Sequence, residues 1–194
     1  MKTNKSFSLL HAMLGAIALT VAASSAFAEA SLEYKLTLAE DGQTYQVWMK
    51  PSSTPKPDIS LTGQVTIKAP HAAGFKVTNL KSAIEGSNWV EASRVDSPTE
   101  ATGSDYISFS FVGLQGTSAR NYAWSKDREQ VVFSFENEDG CIDDVSLMAD
   151  DDAFNVLSNS ANTNPGNQFT NLGWGAVSEN HYKGIYGDAI SCKK

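Results

Sequence analysis

An all-β fold, two antiparallel sheets packed face to face as a sandwich, is what the sequence predicts. Three observations predict it. Apolar side chains recur at every second position through most of the chain. Gly, Pro, Ser and Asp-Gly punctuation cuts this pattern into segments of roughly five to ten residues, the length of ordinary strands. Stretches with a helical period of 3.6 are scarce.

The first segment is different in kind. Lys2 and Lys5 precede an apolar run over residues 9–23, which closes on Ser24-Ser25-Ala26-Phe27-Ala28. A short positive region, an apolar stretch and small residues at −3 and −1 (Ala26 and Ala28) predict a cleavable secretory signal peptide over residues 1–28. The run is short and rich in Ala, Ser and Thr, unlike a span of about 20 strongly apolar residues. Residues 29–194 are then expected to form one exported domain with no transmembrane segment.

Within that domain, Leu32, Tyr34, Leu36 and Leu38 alternate with Glu33, Lys35 and Thr37, a strand with one buried face. Asp41-Gly42 makes the turn into a second strand over residues 45–50. Residues 51–58 hold Pro51, Pro55 and Pro57 and are a loop. Ile59, Leu61, Gly63, Val65 and Ile67 alternate with polar partners in a long strand that ends at Pro70. Further strands are expected at 75–80, 89–95, 107–112, 131–135 and 145–148. One helical turn is expected at 80–86, and a short helix with an acidic start at 150–157. Residues 155–175 crowd Asn159, Asn162, Asn164, Asn167 and Asn171 with Pro165, Gly166, Gly173 and Gly175. This composition predicts a long polar loop.

Charge and cysteine content narrow the function classes. The chain has 15 basic and 22 acidic residues, a net charge of −7. Without Lys2 and Lys5 it is −9. Nucleic acid, which is held by neutralising phosphates with Lys and Arg, is not an expected partner. Cys141 and Cys192 are the two cysteines. In an exported protein they are expected to pair, closing about 50 residues and clamping the Asn-rich loop for roughly 4 kcal/mol in chain-entropy terms.

Several motifs occur in one order along the chain. They are Tyr45-x-Val47-x-Met49-x-Pro51, Thr62-Gly63-x-Val65-Thr66-Ile67, Gly74-Phe75-x-Val77-Thr78-Asn79-Leu80, Trp89, and Arg94-Val95-x-Ser97-Pro98-x-Glu100. Asp105-Tyr106-Ile107-Ser108-Phe109, Gly140-Cys141, Asn164-x-Gly166-Asn167-Gln168 and Tyr182-x-Gly184-x-Tyr186 follow. The series resembles a domain of secreted bacterial surface proteins often joined to adhesin-like or cadherin-like modules. The resemblance implies a cohesin-like or immunoglobulin-like sandwich at the cell surface, and no particular activity. In size, export and histidine number the chain is also similar to the methanotroph surface proteins that hold copper with two histidines and an oxidised tryptophan.

Three sets of candidate site residues follow. His71 and His181 lie in loop-like contexts, where ligands are often found, and imidazole suits copper. With Trp174 as the nearest tryptophan for modification, they make a candidate copper site. Asp150, Asp151 and Asp152 supply oxygens of the kind calcium takes, without EF-hand spacing. Trp48 and Trp124 are candidate ring faces for a sugar. Neither G-x-S-x-G nor H-E-x-x-H occurs, and no enzyme is expected. The expected function is therefore a non-catalytic binding module for adhesion, contacting a surface protein or a glycan and stabilised by calcium, with copper acquisition as the alternative.

Overall fold

The computed structural model describes residues 31–113 and 122–192. The signal-peptide segment lies outside the described residues, as does the Gly116–Asn121 stretch before Tyr122. The strands in chain order are β1 (Leu32–Leu38), β2 (Tyr45–Pro51), β3 (Ser60–Pro70), β4 (Val77–Ser82) and β5 (Val90–Asp96). They continue with β6 (Ser104–Val112), β7 (Gln130–Asn137), β8 (Ser146–Leu147), β9 (Gln168–Asn171) and β10 (Tyr182–Ile185). A single 3-10 turn, His71–Ala73, follows β3.

One sheet has the order β10-β1-β2-β7-β4, the other β5-β6-β3-β8, with β9 also pairing β3. The pairs are antiparallel except β1 with β10, which run parallel. The predicted two-sheet sandwich is the observed fold. Its alternation is visible in β1, where Leu32, Tyr34 and Leu36 are buried and the residues between them are not.

Aromatic rings fill the space between the sheets. Tyr45 on β2 stands opposite Phe135 on β7, and Val47 opposite Phe133. Phe109 on β6 reaches across from the other sheet, 5.0 Å from the Phe133 ring and 4.9 Å from the Phe135 ring, centroid to centroid. Such offset pairs add about 1 kcal/mol each beyond the area they bury. Gly63 in β3 has a packing reason to be glycine. A Cβ there would stand 2.9 Å from the Phe169 ring and 3.0 Å from Trp89.

The structure departs from the sequence pattern in three places. The expected loop over residues 155–175 contains β9, which pairs with Ser60, Thr62, Gly63 and Gln64 of β3. Its polar residues are inside because they are satisfied: Asn171 donates to Asp58 at 2.9 Å and to Ser60 at 3.2 Å. Sequence periodicity counts such residues as surface. The expected helix over 150–157 is a series of turns, because the Asp152 carboxylate accepts the Phe154 N–H at 3.0 Å and competes with helical bonding. The expected helical turn at 80–86 is taken at its start by β4, which ends at Ser82.

Cys141 and Cys192 form the predicted disulfide, with Cα atoms 5.9 Å apart. It encloses the Asn-rich segment and ties the end of the described chain to the turn after β7. The segment is also pinned locally. Asn167 accepts from the Thr66 N–H and donates to the Met148 carbonyl, both at 2.8 Å. Gln64 donates to the carbonyls of Asn164 and Gly166, each at 2.8 Å. No helix among the described residues is long and apolar enough to cross a membrane.

Candidate functional site

The two histidines expected to share copper are held apart by β3. His71 follows Pro70 at one end of the strand, and its Nδ1 is 2.6 Å from the Asp105 carboxylate. His181 lies at the other end, where its Nδ1 accepts the Asn171 N–H at 3.3 Å and Asn171 pairs with Ser60. At about 3.3 Å of rise per residue, the imidazoles are on the order of 30 Å apart. The shared site is therefore not formed.

Trp174 does lie beside His181, with ring centroids 5.7 Å apart. The pair is packed in the connection between β9 and β10. The Trp174 indole N–H donates to the Ser53 carbonyl at 3.1 Å, and the ring rests on Trp124 and Phe169. His181 is buried, with Nε2 3.7 Å from the Glu179 carboxylate. Because Nδ1 accepts, the neutral ring carries its proton on Nε2, towards Glu179.

The three consecutive aspartates do not converge either. Asp152 is turned inward: one oxygen meets Lys68 Nζ at 2.6 Å, the other accepts from the Tyr106 hydroxyl at 2.7 Å. Burial opposes its ionisation, but Lys68, Tyr106 and the Phe154 N–H outweigh that and hold the carboxyl below its ordinary value. The same arrangement, with burial first, pushes the Tyr106 phenol well up. Asp150 and Asp151 are exposed. Among the described residues no three His, Cys, Asp or Glu side chains are grouped to hold a metal ion.

Of the two candidate sugar-stacking rings, Trp124 is in the core. It is 3% exposed, stacks on Tyr122 at 5.2 Å and donates to Ser60 at 3.0 Å. Trp48 lies half-buried on the outer face of its sheet, as its alternation with Val47 and Met49 requires. Lys35 Nζ sits 5.0 Å from the ring centroid, and the indole N–H donates to Thr37 at 2.9 Å. A cation–π contact therefore occupies one ring face.

The Asn-rich segment, expected only as a clamped loop, forms a cleft of about 400 Å³. Asp150, Asn155, Asn164, Asn167, Gln168 and Tyr182 line it, together with Asn180 and Gly166. Hydrogen bonds hold the walls in place. Asn180 Oδ1 accepts the N–H groups of Phe169 and Tyr182, at 3.0 and 3.1 Å, and its Nδ2 donates to the Asn167 carbonyl at 3.0 Å. Asn155 Nδ2 donates to the Asp150 carbonyl at 3.0 Å. Behind them, buried Asn159 donates to the carbonyls of Val156 and Thr163 and accepts the Thr163 N–H, closing the outer turn on itself. Burial pushes the Tyr182 phenol up to about 12, and Asp150 adds to the rise, so its hydroxyl stays protonated; it accepts from Asn167 Nδ2 at 3.4 Å.

The result is a preformed hollow walled by amide, carboxylate and hydroxyl groups on a rigid sheet edge. Such a wall orients a polar ligand through several hydrogen bonds at once. The crowding of asparagines was the available signal. Their convergence depends on β9 and β10, which the pattern of apolar residues did not reveal. No protein-family model matches the chain and no curated protein matches it, so the reading of this cleft rests on its geometry.

Proposed function

We propose that the protein is an exported, non-catalytic binding module that acts at the cell surface or outside the cell, and that its ligand is a glycan held in the asparagine-lined cleft. The observation that carries this reading is the cleft wall, in which amides of Asn155, Asn164, Gln168 and Asn180 stand with Asp150 and Tyr182 around one hollow. An amide offers a donor and an acceptor side by side, which matches vicinal hydroxyls. The hollow falls within the range of about 300–1,000 Å³ usual for small-ligand sites.

The leader-like first 28 residues and the resemblance to secreted surface domains support the location. The copper alternative loses its main support with the separation of His71 and His181, and calcium stabilisation loses the inward-turned Asp152.

The test is a glycan array probed with the domain and with Asn155→Ala and Asn164→Ala. The expected result is binding to a defined set of sugars, lost by about tenfold or more in either variant, or about 1.4 kcal/mol, with the melting temperature unchanged. Absence of binding by folded domain to every sugar on the array overturns the reading. Export is tested separately by the mass of protein recovered outside the cytoplasm, which should begin at Glu29.

A further inference from the structure

Resting on the glycan reading of this cleft, we infer that the sugar it selects carries a free amino group, bound as an ammonium above Gly166. Asn155 spends its Nδ2 on the Asp150 carbonyl at 3.0 Å, which fixes the orientation of the amide. Its Oδ1 then faces Gly166. A Cβ placed on Gly166 would stand 3.2 Å from Asn155 Oδ1 and 3.5 Å from Asn164 Oδ1. Two acceptors from two separate turns therefore border one small space, kept open by the missing side chain.

The charge in the cleft has the matching sign. Asp150 is the ionisable acid in the wall, and no Lys, Arg or His is among the described residues lining it. The space over Gly166 is thus bordered by acceptors and lies in the same hollow as a carboxylate, on a chain of net charge −7. A ligand that fits must bring donors, and positive charge improves the fit. An ammonium has three donors and no acceptor. Its charge-assisted bonds are roughly twice as strong as neutral ones. An acidic sugar meets Asp150 and is repelled. An N-acetylated sugar brings one amide N–H and no charge, and so lacks two of the three donors and the attraction to Asp150.

The amide of Gln168 and the second Nδ2 hydrogen of Asn180, in the same hollow, suit ring hydroxyls, which favours an amino sugar over a bare cation or a lysine side chain. Gly166 itself has no positive φ, so alanine suits its backbone, and its methyl presses on Asn155 Oδ1 at 3.2 Å and fills the cradle.

The experiment is calorimetric titration of the folded domain with glucosamine oligosaccharides, N-acetylglucosamine oligosaccharides of equal length, and galacturonate oligosaccharides. The expected result is tightest binding of the free amine, with the acetylated ligand weaker by about tenfold or more and the acidic one not bound. Binding of the amine should weaken as salt is raised. Gly166→Ala and Asp150→Asn should each lose it at unchanged melting temperature, while Asn164→Asp, which adds a negative charge beside the cradle, should tighten it.

Equal or stronger binding of the acetylated ligand, still lost in Gly166→Ala, overturns the amine and leaves the glycan reading standing. Absence of binding to every sugar overturns both. Amine binding that survives Gly166→Ala places the ligand elsewhere and overturns the inference. A rise in melting temperature with calcium chloride in the wild type, abolished by Gly166→Ala, makes the cradle a metal site and overturns it as well.

Discussion

Lys68 Nζ lies 2.6 Å from the Asp152 carboxylate, and this contact ties β3 of one sheet to the turns that open the asparagine-lined cleft. The Asp152 side chain is 5% exposed, and its second oxygen accepts the Tyr106 hydroxyl at 2.7 Å. Asp152→Asn leaves Lys68 without its counter-charge and removes an acceptor. Chemical denaturation at pH 7 should show a loss of roughly 1.5–3 kcal/mol, the range for hydrogen bonds to charged groups.

The same carboxylate gives the protein an acid limb. Its folded pKa is depressed, so its contribution is fully present above the unfolded value of about 4 and is lost as pH falls through the lower folded value. Stability measured from pH 7 to pH 2.5 should drop below about pH 4 in the wild type. In Asp152→Asn, which has no proton to take up at this position, the drop should be shallower. An equal drop in both proteins would remove Asp152 from the account.

Gly63→Ala tests the packing between β3 and the rings above it. The added methyl meets Phe169 and Trp89 at about 3 Å, and overpacking of this kind costs roughly 1–3 kcal/mol. The expected result is a lower denaturation midpoint with an unchanged slope. A neutral substitution would mean that the rings move aside.

Removing the Cys141–Cys192 bridge with a double serine substitution should lower stability by up to about 4 kcal/mol in the chain-entropy account. For a domain of this size that is roughly 10 °C in melting temperature. The cleft should keep its ligand at temperatures where the domain stays folded, because Asn167, Gln64 and Asn180 pin it independently. Loss of ligand binding before unfolding would assign the bridge a direct role in shaping the cleft.

Asn159→Ala should loosen the outer turn without unfolding the sandwich. The residue is 2% exposed, and its side chain bonds both across the turn and back to Val156. Hydrogen exchange over residues 155–164 should accelerate, with β3 and β6 still protected. Uniform acceleration across both sheets would show that the turn is part of the global core.

How much was legible varied with the kind of burial. β1 and β2 bury apolar side chains in alternation, and β3, β6 and β7 carry apolar runs at strand spacing, both of which can be read from sequence. β9 buries Thr170 and Asn171, and β10 buries Tyr182 just after the buried His181, groups whose burial is tolerated only once partners are in place. Their strand character was therefore hidden. The same blindness set Trp124 among the candidate surface rings, since a tryptophan reads alike inside and outside until its N–H finds Ser60.

The sequence by itself determined the sandwich class, the cysteine pair that bridges, the acidic charge and the polar character of the segment after residue 155. These follow from local composition, period and solvent preference, which act along the chain. Only the tertiary structure decided which polar residues meet. It put His71 and His181 at opposite ends of β3, turned Asp152 inward to Lys68, and brought Asp150, Asn155, Asn164 and Tyr182 around one hollow. Contacts between residues far apart in the chain depend on strand register and loop path, and those are set by the packing of the whole domain.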